Sequence, residues 1–315
     1  MESRPGSRVR VAWDMLAGCS GCEMALLDVE AFHDLMQAID LVYMPFLQDD
    51  HSGNHSTGGI PEADVGILSG SIRTQEQIQL AQEFRNKCKV LVSLGTCAGY
   101  GGIPALANLY SDVNVTTTPS AKSGASTVTT AGSSLLPPMT ERVMALGEVV
   151  HVDAMLPGCP PTSSSISSAL QFLANGLLIE LPSHSVCDDC PTVRLAKSAS
   201  SPLRRPIEPV DKRPVEGASG MRCFLEQGFL CLGPVTRTGC GGDQRTPRCI
   251  AALLPCRGCS GPLRPESNPL VDLISALTSL GLDARTIEDR LATINRFAGL
   301  TGRRRPLRRG PVGGI

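Results

Sequence analysis

Thirteen cysteines in a chain of 315 residues, spread as close pairs and isolated single positions, constrain this sequence more than any other feature. An odd number cannot pair completely within one chain. The N-terminal stretch carries Arg4, Arg8 and Arg10, but Asp14 breaks the apolar run before Cys19, so no signal-peptide core is read there. The expectation is a cytoplasmic, reducing setting in which the thiols bind metal rather than form disulfides. A hydrophobic content of 42% is enough for two domain cores. Basic and acidic residues number 29 and 30, which excludes an overall charge bias toward nucleic acid or an anionic membrane. No run approaches the roughly 18 apolar residues of a membrane span.

The first half alternates β-rich runs with helical patterns, the signature of a parallel sheet covered by helices. Val9, Val11 and Trp13 alternate in a first strand, and 39–44, 64–69, 89–94 and 148–152 read as later ones. Thr74 as N-cap and Gln77 closing a capping box predict a helix over 74–87, with Ile78, Ala81 and Phe84 on one face. Ile166, Ala169, Leu170 and Leu173 predict another over 163–175. The segment 111–138, rich in Ser, Thr, Gly and Pro, reads as a surface insertion. Prolines among Lys and Arg make 191–220 a connector rather than regular structure. A cysteine-dense, glycine-rich region follows to Cys259; it has little hydrophobic periodicity and needs an inorganic core. Short helices are predicted at 271–280 and 286–298, then a basic tail with Arg303, Arg304, Arg305, Arg308 and Arg309. Without accompanying aromatics the tail reads as solvated or partner-docking rather than nucleic-acid binding. The expected division is 1–186 and 187–300, with 301–315 as a disordered tail.

On this strand assignment Cys19 and Cys22 follow the first strand, Cys97 the one ending at Leu94, and Cys159 the one ending near Val152. All four then emerge at the carboxyl ends of parallel strands, where open α/β sheets bind ligands. Glycines flank each of them, which allows backbone to approach a bulky cluster closely. The second half carries Cys187, Cys190, Cys223, Cys231, Cys240, Cys249, Cys256 and Cys259, enough for two tetrathiolate sites. Cys88 is left over on an apolar run and reads as a small buried hydrophobe. Zinc also accepts four thiolates, but structural zinc sites assemble from close pairs, whereas Cys97 and Cys159 are single and far apart; iron–sulfur is the favoured reading. His51 and His55 share a helical spacing, but Gly53 between them argues for loop. His184, three residues before Cys187, is an alternative ligand to one thiolate.

With Gly-Cys-Ser-Gly-Cys-Glu-Met, Gly-Thr-Cys-Ala and Pro-Gly-Cys-Pro-Pro in place, the chain resembles the small, electron-transferring subunit of nickel–iron hydrogenases, and within that family the cytoplasmic, methyl-viologen-reducing type that joins heterodisulfide reductase. The resemblance implies a flavodoxin-like parallel-sheet N-terminal domain and an irregular cysteine-rich iron–sulfur C-terminal domain with short helices. It implies three [4Fe-4S] clusters: a proximal one on Cys19, Cys22, Cys97 and Cys159, a medial one on Cys240, Cys249, Cys256 and Cys259, and a distal one on Cys187, Cys190, Cys223 and Cys231. Ser20 and Thr96 are candidate hydrogen-bond donors to the proximal sulfurs, with turn capping as their structural role. Glu23 either meets the large subunit, passes protons, or serves as the first-turn acid of a helix.

The implied role is electron relay between the nickel–iron site of a large subunit and an acceptor, a [2Fe-2S] or ferredoxin-like subunit and then heterodisulfide reductase; the chain itself carries no hydrogen-activating site. The small subunit of a deazaflavin-reducing hydrogenase is the close alternative. A zinc-stabilised interaction scaffold is the alternative of a different class.

Overall fold

The computed structural model describes residues 8–28, 36–37, 39–47, 59–109, 137–177, 179–198, 202–217, 220–264 and 267–299. His33, His51, His55, the 301–315 tail and nearly all of the predicted insertion lie outside them.

Among the described residues seven strands form, β1 (Val9–Met15), β2 (Ile39–Tyr43), β3 (Ala63–Ser69), β4 (Ile72–Thr74), β5 (Cys88–Leu94), β6 (Met139–Met144) and β7 (Ala154–Leu156). Five of them make one sheet in the order β2-β1-β3-β5-β7, all pairs parallel. Counted within the sheet alone this is the 2-1-3-4-5 order of flavodoxin-like folds, whose direction reverses between β1 and β3. The order confirms the predicted parallel-sheet architecture.

Central parallel strands are covered on both sides, so their side chains alternate between two cores. Val11, Trp13, Val65, Ile67, Val92 and Leu94 face one apolar cluster. It is completed by α1 (Gly21–Leu27) and by Ile166, Ala169, Leu170 and Leu173 of the 163–174 helix. Ala12, Leu68 and Leu91 face the other, against Ala81 and Phe84 of α2 (Gln75–Lys87). The capping box at that helix forms as predicted: Gln77 N donates to Thr74 Oγ1 at 3.2 Å, and Thr74 N donates to Gln77 Oε1 at 3.2 Å.

The strand expected at 148–152 is not one. Leu146–Glu148 is a 3-10 turn in which Glu148 accepts from the Ala145 amide at 2.9 Å, and the last sheet strand begins at Ala154. Val149, Val150 and Val152 were β-like by composition, but they serve as a connector packed on the second core. The 139–144 strand was not anticipated; it pairs antiparallel with β4 in a separate two-stranded sheet.

Beyond α3 (Gly95–Tyr100) and α4 (Ser163–Ala174), the second half builds around its own apolar cluster, with Phe224, Phe229, Leu273 and Leu277 at its centre. Its backbone is irregular: single bridges join Val193 to Arg222, Arg204 to Phe229 and Pro214 to Met221. Three short helices follow, α5 (Arg248–Ala251), α6 (Pro269–Ser279) and α7 (Arg290–Asn295). The helix expected over 286–298 is thus shorter. Asp283 binds the Arg285 amide and guanidinium in a 3-10 turn, and Asp289 starts the helix by accepting from Ala292 N at 3.2 Å. Among the described residues no helix is long and apolar enough to cross a membrane.

Candidate functional site

Four cysteines come together at the carboxyl ends of the strands, the end of an open α/β sheet where ligands bind. Cys19 lies in the turn after β1 and Cys22 in the first turn of α1. Cys97 sits in α3, directly after β5, and Cys159 just after β7. Ser20 makes the bend between the first two, with a left-handed φ of 60° and its carbonyl accepting from Met24 N at 3.0 Å.

These four thiols act on one another. Burial pushes the Cys22 thiol well above the usual range, and Glu23, Cys97, Cys159 and Cys19 push it further. Burial likewise lifts Cys97 to about 11, with Cys159 and Cys19 adding to it. Four thiolates this close and this desolvated repel; a bound cation or cationic cluster relieves the repulsion. Glycine keeps the space beside the sulfurs open. A Cβ at Gly95, where φ is +81°, stands 2.5 Å from Cys22 Sγ, and one at Gly102, where φ is +50°, stands 2.9 Å from Cys97 Sγ.

Neither hydroxyl expected to serve the proximal sulfurs does so. Thr96 is fully buried; its Oγ1 donates to the Cys259 carbonyl at 2.5 Å and accepts from Gly158 N at 2.9 Å. Ser20 Oγ donates to the thioether of Met15 at 3.4 Å. Glu23 is 1% exposed and faces inward, accepting from Ser69 Oγ and from Trp13 Nε1 at 3.4 Å. Its role here is to tie α1 to the ends of β1 and β3.

In the second half, the thiols of Cys240 and Cys259 are hydrogen-bonded to each other. That bond holds Cys240 down and pushes Cys259 up. Cys256 is lifted to about 12 by burial, with Cys249 and Cys240 close enough to add to the rise. Cys187, Cys190, Cys223 and Cys231 line one cavity of about 280 Å³, together with Arg194 and Phe224. Burial, then Cys223 and Cys190, raises Cys187 to about 12, while Arg194 opposes the rise. A Cβ at Gly233 would lie 3.0 Å from Cys187 Sγ and 3.6 Å from Cys231 Sγ.

The backbone donates directly to several of these sulfurs: Ile103 to Cys97, Arg248 to Cys240, Gly258 to Cys256, and Gly233 to Cys231. Cys256 N also donates to Cys231 Sγ at 3.3 Å.

His184 does not line the cavity of Cys187; its Nε2 is 3.4 Å from Asp189 Oδ2. Cys88 stands apart from the three sets, 4% exposed at the start of β5 in the second core. Among the described residues, no three Cys, His, Asp or Glu side chains close on one point as a single metal ion requires.

Sequence reading missed the partners of Thr96 and the contact between Tyr100 and the Cys259 loop. A Cβ at Gly261 would stand 2.3 Å from the Tyr100 ring, and the phenol is hydrogen-bonded to Arg237. The only signal was the run of small residues around Cys97, which marks close packing without naming what packs there.

Residues 19–173 match the family model described as NADH ubiquinone oxidoreductase, 20 Kd subunit. The chain is 35% identical over 296 residues to the vhu G subunit of the F420-non-reducing hydrogenase of Methanococcus voltae, covering 92% of this chain and 95% of the relative. It is 30% identical to the iron-sulfur G subunit of the F420-non-reducing hydrogenase of Archaeoglobus profundus, covering 93% and 94%. Among solved structures, an NAD+-reducing [NiFe]-hydrogenase in the H2-reduced state is similar with a TM-score of 0.48 at 28% identity, covering 56% of this chain and 96% of that one. A relative matched this far along both chains settles the family: this protein belongs with the G subunits of F420-non-reducing hydrogenases.

Proposed function

We propose that this subunit relays electrons between the nickel–iron site of a separate large subunit and an external acceptor through three [4Fe-4S] clusters. Cys19, Cys22, Cys97 and Cys159 would hold the proximal cluster, Cys240, Cys249, Cys256 and Cys259 the medial one, and Cys187, Cys190, Cys223 and Cys231 the distal one. The observation that carries this reading is that the three thiol sets are joined in series: Thr96 Oγ1 donates to the Cys259 carbonyl, and Cys256 N donates to Cys231 Sγ.

The residues present fit such groups. Each set offers four soft sulfur donors, the last surrounds a cavity of about 280 Å³, and glycines stand where a side chain would fill the space. When bound, the clusters supply one-electron carriers. The chain supplies their setting: N–H groups of Ile103, Arg248, Gly258, Gly233 and Cys256 donate to sulfur and stabilise its negative charge. Burial of Cys256 and Cys231 keeps water from two of the ligands. Because tunnelling weakens steeply with distance, a series of centres is what lets a buried catalytic metal exchange electrons with an outside partner.

The partners we assign are the nickel–iron large subunit, a [2Fe-2S] or ferredoxin-like subunit, and heterodisulfide reductase as a further acceptor; the setting is cytoplasmic. The Archaeoglobus profundus relative, named as an iron-sulfur subunit, supports the cofactor. Anaerobic analysis should find roughly twelve iron and twelve acid-labile sulfide per chain, in a brown protein whose visible absorption bleaches on reduction. Zinc with no labile sulfide would overturn the proposal.

A further inference from the structure

The junction between the first and second cysteine sets differs in kind from the junction between the second and third. The latter runs from a backbone amide to a thiol sulfur, Cys256 N to Cys231 Sγ at 3.3 Å. The former depends on one hydroxyl. Thr96 precedes Cys97, and its amide donates to Gly158 O at 2.8 Å, beside Cys159. Its Oγ1 accepts from Gly158 N at 2.9 Å and donates to the carbonyl of Cys259, 163 residues along the chain, at 2.5 Å. A hydroxyl has one proton, and here it is committed to Cys259. Capping of a local turn explains none of these bonds, since Gly158 lies 62 residues away and Cys259 lies 163. Tyr100, one helical turn on, braces the same junction: its ring lies against Gly261, its phenol is bonded to Arg237, and Arg237 N donates to Gly261 O at 3.2 Å.

We propose that Thr96, braced by Tyr100, is the positioning residue that fixes the first cysteine set against the second, and that Cys256-x-x-Cys259 is a two-ended connector, met by the first set at Cys259 and meeting the third at Cys256. The proposal rests on the electron-relay reading. A hydroxyl-free residue of the same shape at 96 leaves the cysteines in place and keeps the amide bond to Gly158 O, but it loses the bonds to Gly158 N and Cys259 O, which loosens the Cys159 loop and unties the Cys259 loop from both.

The test uses the assembled hydrogenase with Thr96→Val, Thr96→Ser and Tyr100→Phe. Iron and sulfide in the wild type test the relay reading by themselves. Given a loaded wild type, T96V is expected to keep its iron and sulfide while the Gly158 amide exchanges about tenfold faster or more. Its paramagnetic resonance spectrum should show an altered magnetic interaction between the first and second reduced centres, with that between the second and third unchanged. T96S should restore the wild-type pattern, and Y100F should show a smaller change in the same direction. Wild-type Gly158 exchange and an unaltered first-to-second interaction in T96V overturn the proposal. So does T96S behaving as T96V, and so does a T96V that fails to assemble alongside a Y100F with no spectral change.

Discussion

The sheet region and the cysteine-rich region solve the problem of a core differently. Between β1 and the 163–174 helix, aliphatic and aromatic side chains fill both faces of the sheet, and the first four cysteines stand at strand ends, Cys22 alone touching the core margin. Between Val186 and Ile294 thiols are part of the core: Cys231 and Cys256 are 6% and 4% exposed within it, with Cys190 and Cys223 packed on its edge. A site set upon a finished scaffold can be emptied without loss of the scaffold. A site built into the core cannot, because emptying it leaves a cavity of about 280 Å³ in place of the group that the surrounding side chains pack against.

The strongest way to break that comparison is to strip the metal. Treating the chain with chelator and oxidant should abolish amide protection over 186–295 while β3 and β5 stay protected, read by hydrogen exchange; loss of both together would show that the sheet also depends on its site. A second test works from the other side. Phe84→Ala empties a fully buried site in the sheet region and should cost about 3–5 kcal/mol, followed through the single tryptophan, Trp13, in denaturant. Iron retained by the second half of that variant would sharpen the division, and iron lost from it would blur it.

Smaller effects probe the sheet region's independence. Thr74→Ala removes the N-cap and should lower its stability by about 1 kcal/mol in the same assay. Cys88→Ala deletes a buried thiol outside all three sets; it should cost about 1 kcal/mol and leave iron and sulfide unchanged, so a fall in either would assign Cys88 to a site after all.

Acid supplies the weakest test. Burial would raise the Asp153 carboxyl, but the Leu91 amide and Arg85 outweigh it and hold it below the usual range. Its contribution is therefore complete above the ordinary carboxylate value of about 3.9 and is lost as pH falls through the lower folded value. Asp153→Asn should flatten the acid loss of Trp13-reported stability; an unchanged slope would remove Asp153 from the account.

Much of this was legible because local rules and global packing agreed. Thr74 and Gln77 announce a helix start by themselves, and Ala81 with Phe84 then fix which face is buried. The loops bearing Cys19, Cys97 and Cys159 share one end of the sheet because parallel strands leave them no other choice. The run at 148–152 misled because β-branched side chains suit any half-buried extended connector, and nothing in Val149 or Val150 distinguishes a paired strand from an unpaired one. Thr96 misled differently. Its neighbour Cys97 suggested a sulfur partner, whereas its proton goes to a carbonyl 163 residues away, a pairing that local spacing does not encode.

The strand that delivers Cys159 is only three residues long, Ala154–Leu156, and lies at the sheet edge. On the ribosome this makes it a timekeeper. Cys19, Cys22 and Cys97 emerge with most of the sheet, yet their fourth companion arrives on the order of ten seconds after Cys22 at ordinary elongation speeds. Until then three thiols stand open to oxidants at the mouth of a nearly complete fold. On the proposed assignment, loading of the first site follows synthesis of the edge strand, and the late place of that strand in the chain sets how late the four thiols can stand together.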